Sequence, residues 1–136
     1  MLSYHLGWTD QYGSPEDNRS HIHLPAMLTL TTCEQISGDF EQALPVAAAL
    51  ELMHNFTTVH GDVQNGGMES QTRPSIWWVW GPSQAINAGD GLHALARTTI
   101  MRLSEKSIDA DLTLQVIKGL DEACLSFCEG QYMDLT

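Results

Sequence analysis

The sequence predicts an all-α domain, an antiparallel bundle of about four helices, and three observations predict it. Apolar residues recur at helical spacing, with Ala47, Leu50, Met53 and Phe56 forming one run and Leu112, Val116, Leu120, Cys124 and Phe127 another. Residues that start and stop helices stand at the edges of the segments. No strand-like alternation of comparable length competes with them.

Residues 1–20, rich in Gly, Asp, Pro and Ser, read as an irregular lead-in. The first helix should begin near Pro25, a residue favoured in a first turn, and stop before Gly38. A second begins between Phe40 and Leu44 and reaches about His60, with Pro45 tolerated because it falls in the first turn. Residues 61–81, rich in Gly, Ser and Thr and holding Gly66-Gly67, predict a long loop with one helical turn around Ile76 to Trp80. The third helix spans Ser83 to Leu103, where Ala85, Ala88, Gly89, Ala94 and Ala96 permit close approach to a neighbour. The fourth starts at Asp109, a good N-cap, and reaches Cys128 or a little beyond. The whole chain, 1–136, reads as one domain.

Six Lys and Arg stand against seventeen Asp and Glu, a formal charge of −11. Such a chain repels nucleic acid and anionic membrane surfaces, and it repels free diphosphates unless a cation mediates. No apolar run approaches the roughly 18 residues of a membrane span, and the start lacks a basic-then-apolar leader, so a cytoplasmic protein is expected. The three cysteines, Cys33, Cys124 and Cys128, are an odd number scattered among apolar residues. Cys124 and Cys128 lie four apart on one helical face; they read as small hydrophobes in a packing seam, with metal binding or oxidation as the alternative.

The most informative stretch is Leu50-Glu51-Leu52-Met53-His54-Asn55-Phe56-Thr57-Thr58-Val59-His60 followed by Gly61-Asp62-Val63-Gln64-Asn65. Tyr4-His5-Leu6-Gly7-Trp8 precedes it, and Arg73-Pro74, Leu120-Asp121-Glu122-Ala123-Cys124 and Glu129-Gly130-Gln131-Tyr132-Met133-Asp134-Leu135 follow. In order and spacing this closely resembles the trans-polyprenyl diphosphate synthases, helical enzymes that join isopentenyl diphosphate to an allylic diphosphate. The resemblance covers the chain from Tyr4 to Leu135.

In that family the five positions 61–65 are D-D-x-x-D, whose carboxylates hold magnesium around the allylic diphosphate. Here only Asp62 is a carboxylate, and Asp62 with the amides of Gln64 and Asn65 supplies little charge for a hard, oxygen-seeking cation. The family's basic run G-K-R-L-R-P falls on Ser20-His21-Ile22-His23-Leu24-Pro25, where only Pro25 is kept, and its arginine pair falls on Ser70 and Gln71. A full synthase carries helices before this lead-in and a second aspartate-rich motif after the G-Q-x-x-D segment. The resemblance therefore implies an internal slice of the parent fold, with no cofactor expected beyond residual magnesium at Asp62.

The polar candidates for any remaining chemistry are His60, Asp62, Asn65, Arg73, Gln131 and Asp134, with Asp62 the one candidate metal ligand. Each has a plainer reading: a hydrogen-bonded structural His60, loop or packing acids at Asp62 and Asp90, and a helix-end cap at Gln131 and Asp134. His54 and His60 lie six apart on different helix faces, and His21 and His23 lack further ligands nearby. Among the tryptophans, Trp77 and Trp80 match family positions, which leaves Trp78 without an assignment.

Two functional classes follow. One is a non-catalytic accessory subunit or pseudoenzyme of isoprenoid biosynthesis, a homo-oligomer or the partner of an intact polyprenyl synthase, which the lost acids and basic residues support. The other is an enzyme that acts on a prenyl or terpenoid substrate without the magnesium-diphosphate site. In either class a hydrophobic isoprenoid is the candidate ligand, and the inner helix face around His54, Thr57 and Thr58 would lie open unless another chain covers it.

Overall fold

The computed structural model describes residues 1–16, 23–70 and 73–134. Helices dominate: α1 (Leu2–His5), α2 (Leu24–Ser37), α3 (Leu44–Asn65), α4 (Ile76–Trp80), α5 (Pro82–Ile100) and α6 (Ala110–Asp134). Short 3₁₀ segments, Glu41–Ala43 and Met101–Lys106, lead into α3 and out of α5. One small antiparallel hairpin pairs β1 (Glu69–Ser70) with β2 (Arg73–Pro74).

The expected helix boundaries hold at α2, whose first turn contains Pro25 and whose end is Gly38 in the left-handed conformation. Elsewhere the bounds shift, with α3 and α6 longer than expected and α5 ending short of Leu103. Gly61 does not stop α3; the stop is Gly66 at φ 66°, whose N–H returns to the Asp62 carbonyl, with the Gly67 N–H on the same oxygen. A lone glycine inside a helix costs only about 1 kcal/mol, which a well-packed α3 absorbs. The loop expected over 61–81 is thus shorter, and it contains the hairpin and α4. The lead-in is also more ordered than its composition suggests, with α1 and an isolated Thr9–Pro15 bridge. α5 ends at Ile100 and α6 continues to Asp134.

α3 and α5 form the central antiparallel pair. His60, near the end of α3, meets Ile86 and Gly89 early in α5, while Val46 and Leu50 face Ile100 at the other end. Val59, Leu92 and Ile100 of this pair are fully buried, as is Ile76 of α4, and Ala49, Ala85, Ala88 and Ala96 let the backbones approach. Gly89 is required there, because any Cβ at that position would run into the His60 ring.

α2 covers α3 without burying any residue completely, and α6 buries only Thr113 and Leu120. Large apolar side chains consequently stay in solvent on both, among them Met27, Leu28 and Ile36 on α2 and Leu114, Leu125 and Phe127 on α6. Of the tryptophans, Trp77 donates its indole N–H to the Gly67 carbonyl at 2.7 Å and Trp80 packs edge-on against Tyr4. Trp78 is 57% exposed and touches Trp77 edge-on.

Candidate functional site

The end of α3 is where the degenerate aspartate motif lies, and a helix dictates how its positions are arranged. Residues 61 and 65 are four apart, so they share one face; residue 62 is rotated by about 100° from 61. On the shared face Gly61 has no side chain, and Asn65 turns its amide back on the helix, donating to the Gly61 carbonyl at 3.0 Å. Gln64 and Asn65 are exposed. The Asn65 amide is thus turned to its own helix and not toward Asp62.

Asp62 faces the hairpin instead. Its Oδ1 lies under Gly67, where a Cβ would come within 3.2 Å, and its Oδ2 is buried with no hydrogen-bond partner among the described residues. Loss of hydration pushes the carboxyl above the usual aspartate range, and the neighbouring Ser70 hydroxyl opposes this in part. A folded-state pKa above the unfolded value means that the native chain binds more protons between the two. Stability from this group is therefore present below the unfolded pKa and falls as pH rises through the raised folded one. Replacing Asp62→Asn should accordingly raise Tm at neutral pH, with the gain fading as pH falls through the raised folded pKa and gone below about 4. Thermal melts of both proteins across that range check it.

His60 sits in the seam between α3 and α5. Its Nε2 lies 3.2 Å from the Ile86 carbonyl and 3.7 Å from Asp90 Oδ1, and its ring stacks edge-on with Phe56. Phe56 holds His93 in the same way. The exposed Asp90 thus pairs with His60 and does not approach Asp62's pocket under the hairpin. His54 is exposed, and the Thr57 and Thr58 hydroxyls both donate to its carbonyl.

Arg73 is held away from α3, and of its nitrogens the buried Nε has no hydrogen-bond partner among the described residues. Its Nη1 donates to the Tyr4 carbonyl at 2.7 Å and to the Thr9 carbonyl at 3.0 Å, its Nη2 pairs with Glu16 at 2.7 Å, and its guanidinium lies over the Tyr4 ring at 4.7 Å. Tyr4 completes the knot by donating its hydroxyl to the Pro74 carbonyl at 2.8 Å. Arg73, a candidate catalytic group from the sequence, ties the lead-in to the hairpin through these contacts.

Gln131 and Asp134 lie far along α6, two to three turns beyond Cys124, the last α6 residue packed on the core. Six candidates thus separate into the end of α3, the lead-in clamp and the tail of α6. Among the described residues no three His, Cys, Asp or Glu side chains gather around a common metal position. The readings at Ser20, His21, Ile22, Gln71 and Leu135 lie outside the described residues.

Sequence reasoning missed Glu51. Its Oε1 accepts from the Ala26 N–H at 3.0 Å and its Oε2 lies 3.1 Å from His23 Nδ1, so a carboxylate from α3 occupies the start of α2. A long-range cap of this kind leaves no local spacing to detect. An apolar hollow of about 140 Å³ opens between α3, α5 and α6, lined by Val46, Leu50, Ile100, Val116 and Leu120.

The polyprenyl synthetase family model matches residues 17–136. The geranylgeranyl diphosphate synthase of Mycobacterium tuberculosis is 37% identical over 134 residues, 98% of this chain and 37% of that protein. A short chain isoprenyl diphosphate synthase of Methanocaldococcus jannaschii is 39% identical over 108 residues, 79% of this chain and 32% of its own length. Among solved structures, the polyprenyl synthetase of Streptomyces coelicolor superposes with a TM-score of 0.85 at 32% identity, covering 98% of this chain and 38% of that one. The chain therefore spans about a third of the length of these relatives. No helix among the described residues is long and apolar enough to cross a membrane. On sequence and fold together, the chain belongs to the polyprenyl synthetase family.

Proposed function

We propose that this chain serves isoprenoid biosynthesis in the cytoplasm as a non-catalytic member of its family, a pseudoenzyme or accessory subunit that pairs with another copy or with an intact synthase. The observation that carries the reading is the end of α3. Where the family's motif asks for carboxylates one turn apart, Gly61 and Asn65 offer none, and Asp62 is turned under the hairpin with its charge disfavoured. A diphosphate meeting a chain of net charge −11 needs a cation there to be held at all.

The exposed apolar side chains of α2 and α6 support the association half of the reading, since each Leu-sized group gains roughly 1.5–3 kcal/mol when buried. Sedimentation at micromolar concentration is expected to show an oligomer, most simply a C2 dimer. The hollow between α3, α5 and α6 is the apolar surface with which the chain would meet a prenyl tail. The alternative, an enzyme independent of magnesium, needs its polar groups converged, and His60, Arg73 and Gln131 are engaged or placed apart.

Incubated with isopentenyl and allylic diphosphates and magnesium, the purified chain is expected to form no elongated product above background. Robust magnesium-dependent elongation by the chain alone would overturn the reading.

A further inference from the structure

Asn65 is the one asparagine of the chain that a glycine follows; Asn18, Asn55 and Asn87 precede Arg19, Phe56 and Ala88. The fold places this dipeptide at the end of α3, where Asn65 is the last helical residue and Gly66 is the left-handed cap. Both are exposed, and a Cβ on Gly66 would meet nothing within 4 Å.

We propose that Asn65–Gly66 is a self-modification site, at which the side-chain amide of Asn65 is lost as ammonia and position 65 becomes a carboxylate. The nucleophile is the Gly66 backbone nitrogen. Its proton passes to solvent base as it bonds to Cγ of Asn65; the Cγ–Nδ2 bond breaks, and Nδ2 leaves as ammonia with a proton taken from water. A five-membered imide remains. Water then adds to either ring carbonyl and opens the ring, to aspartate through one and to isoaspartate through the other. One water is consumed for each ammonia released, and no oxidation state changes.

The helix end favours ring closure. Residue 66 has no side chain to shield its nitrogen, whereas Phe56 and Ala88 follow the other two asparagines of the described helices. Closure must rotate the peptide between 65 and 66 out of its helical setting, which in mid-helix disrupts the hydrogen-bond ladder on both sides. At Asn65 it breaks only the Nδ2 bond to the Gly61 carbonyl and the Gly66 N–H bond to the Asp62 carbonyl. The Asp62 carbonyl keeps a donor, because the Gly67 N–H also reaches it at 2.9 Å. Helix termini open far more readily than interiors. Asn55, by contrast, is 6% exposed and donates to the Glu51 carbonyl at 2.7 Å.

The product changes this end of α3. A carboxylate at 65 cannot donate to the Gly61 carbonyl, and its charge meets the negative end of the helix dipole. Isoaspartate also adds a carbon to the main chain, so either product loosens the last turn beside Asp62 and makes the chain one unit more acidic than −11. Where the family's motif carries its last acid, the chain encodes an amide and acquires the acid with age. The chemistry needs no partner or substrate, so it stands apart from the functional reading.

The test holds the freshly purified full chain for weeks at mildly alkaline pH and body temperature, then applies intact mass, isoelectric focusing and peptide fragmentation that distinguishes aspartate from isoaspartate. A gain of one mass unit at residue 65 is expected, with both products present and one ammonia released per modified chain. Asn55 and Asn87 should stay amides over the same time. Asn65→Gln, whose imide would need a six-membered ring, should stay unmodified, and Gly66→Ala should react several-fold more slowly; circular dichroism checks that both variants keep their helices. Residue 65 reacting no faster than Asn55 and Asn87, aspartate forming without isoaspartate, or Gly66→Ala reacting as fast as the parent would each overturn the proposal.

Discussion

Replacing Arg73→Ala is expected to lower the unfolding free energy by about 3 kcal/mol and to release the lead-in. The guanidinium satisfies two backbone carbonyls, Tyr4 and Thr9, of the segment that the Tyr4 side chain anchors through Trp80 and Pro74. It is also about 10% exposed, so the Glu16 contact is shielded on the arginine side only, the glutamate being 47% exposed. Most of the loss should come from the orphaned carbonyls and the Tyr4 ring, and Glu16→Gln should cost well under 1 kcal/mol. Arg73→Lys should not restore stability, because an ammonium cannot reach two carbonyls and a carboxylate in a planar fork. Urea unfolding gives the magnitude, and faster hydrogen exchange confined to residues 4–9 would locate it. An Arg73→Ala protein as stable as the parent would return Arg73 to the list of groups free for chemistry.

The second large effect concerns repair of the α3 face. Gly61→Asp together with Asn65→Asp places two carboxylates one turn apart, and space exists for the first, since a Cβ at 61 meets only the Asn65 amide at 4.0 Å. Magnesium affinity should rise at least about tenfold, because two carboxylates on one face are what such a cation recruits beside phosphate oxygens. Elongation should not return with it. Asp62 stays turned toward Ser70, so only two of the three acids converge, and the basic positions replaced by His21, Ile22 and Leu24 are unchanged. Calorimetric titration of magnesium into the double variant measures the first expectation, and a turnover assay the second; turnover restored by these two changes alone would contradict the account.

Much of this was legible beforehand because local rules govern it. Pro25 and Gly38 bracket α2, Ala47 to Phe56 mark the buried side of α3, and the order of motifs from Tyr4 to Leu135 pointed to the family. Gly61 misled because a glycine after a helical run looks like a stop, whereas tertiary packing carried α3 one further turn to Gly66. The lead-in looked irregular because its order comes from Arg73, some sixty to seventy residues away, and no periodicity announces such a bond. The direction of Asp62 was equally hidden: spacing places it near positions 61 and 65, but only the hairpin shows that it is turned away from them.

The central claim is that the end of α3 does not hold a diphosphate through magnesium. Its most direct test is calorimetric titration of the wild-type chain with an inert allylic diphosphate, one whose ester oxygen is replaced by sulfur, with and without magnesium. The account predicts no magnesium-dependent heat of binding. Tight binding that appears with magnesium and is lost in Asp62→Asn would contradict it.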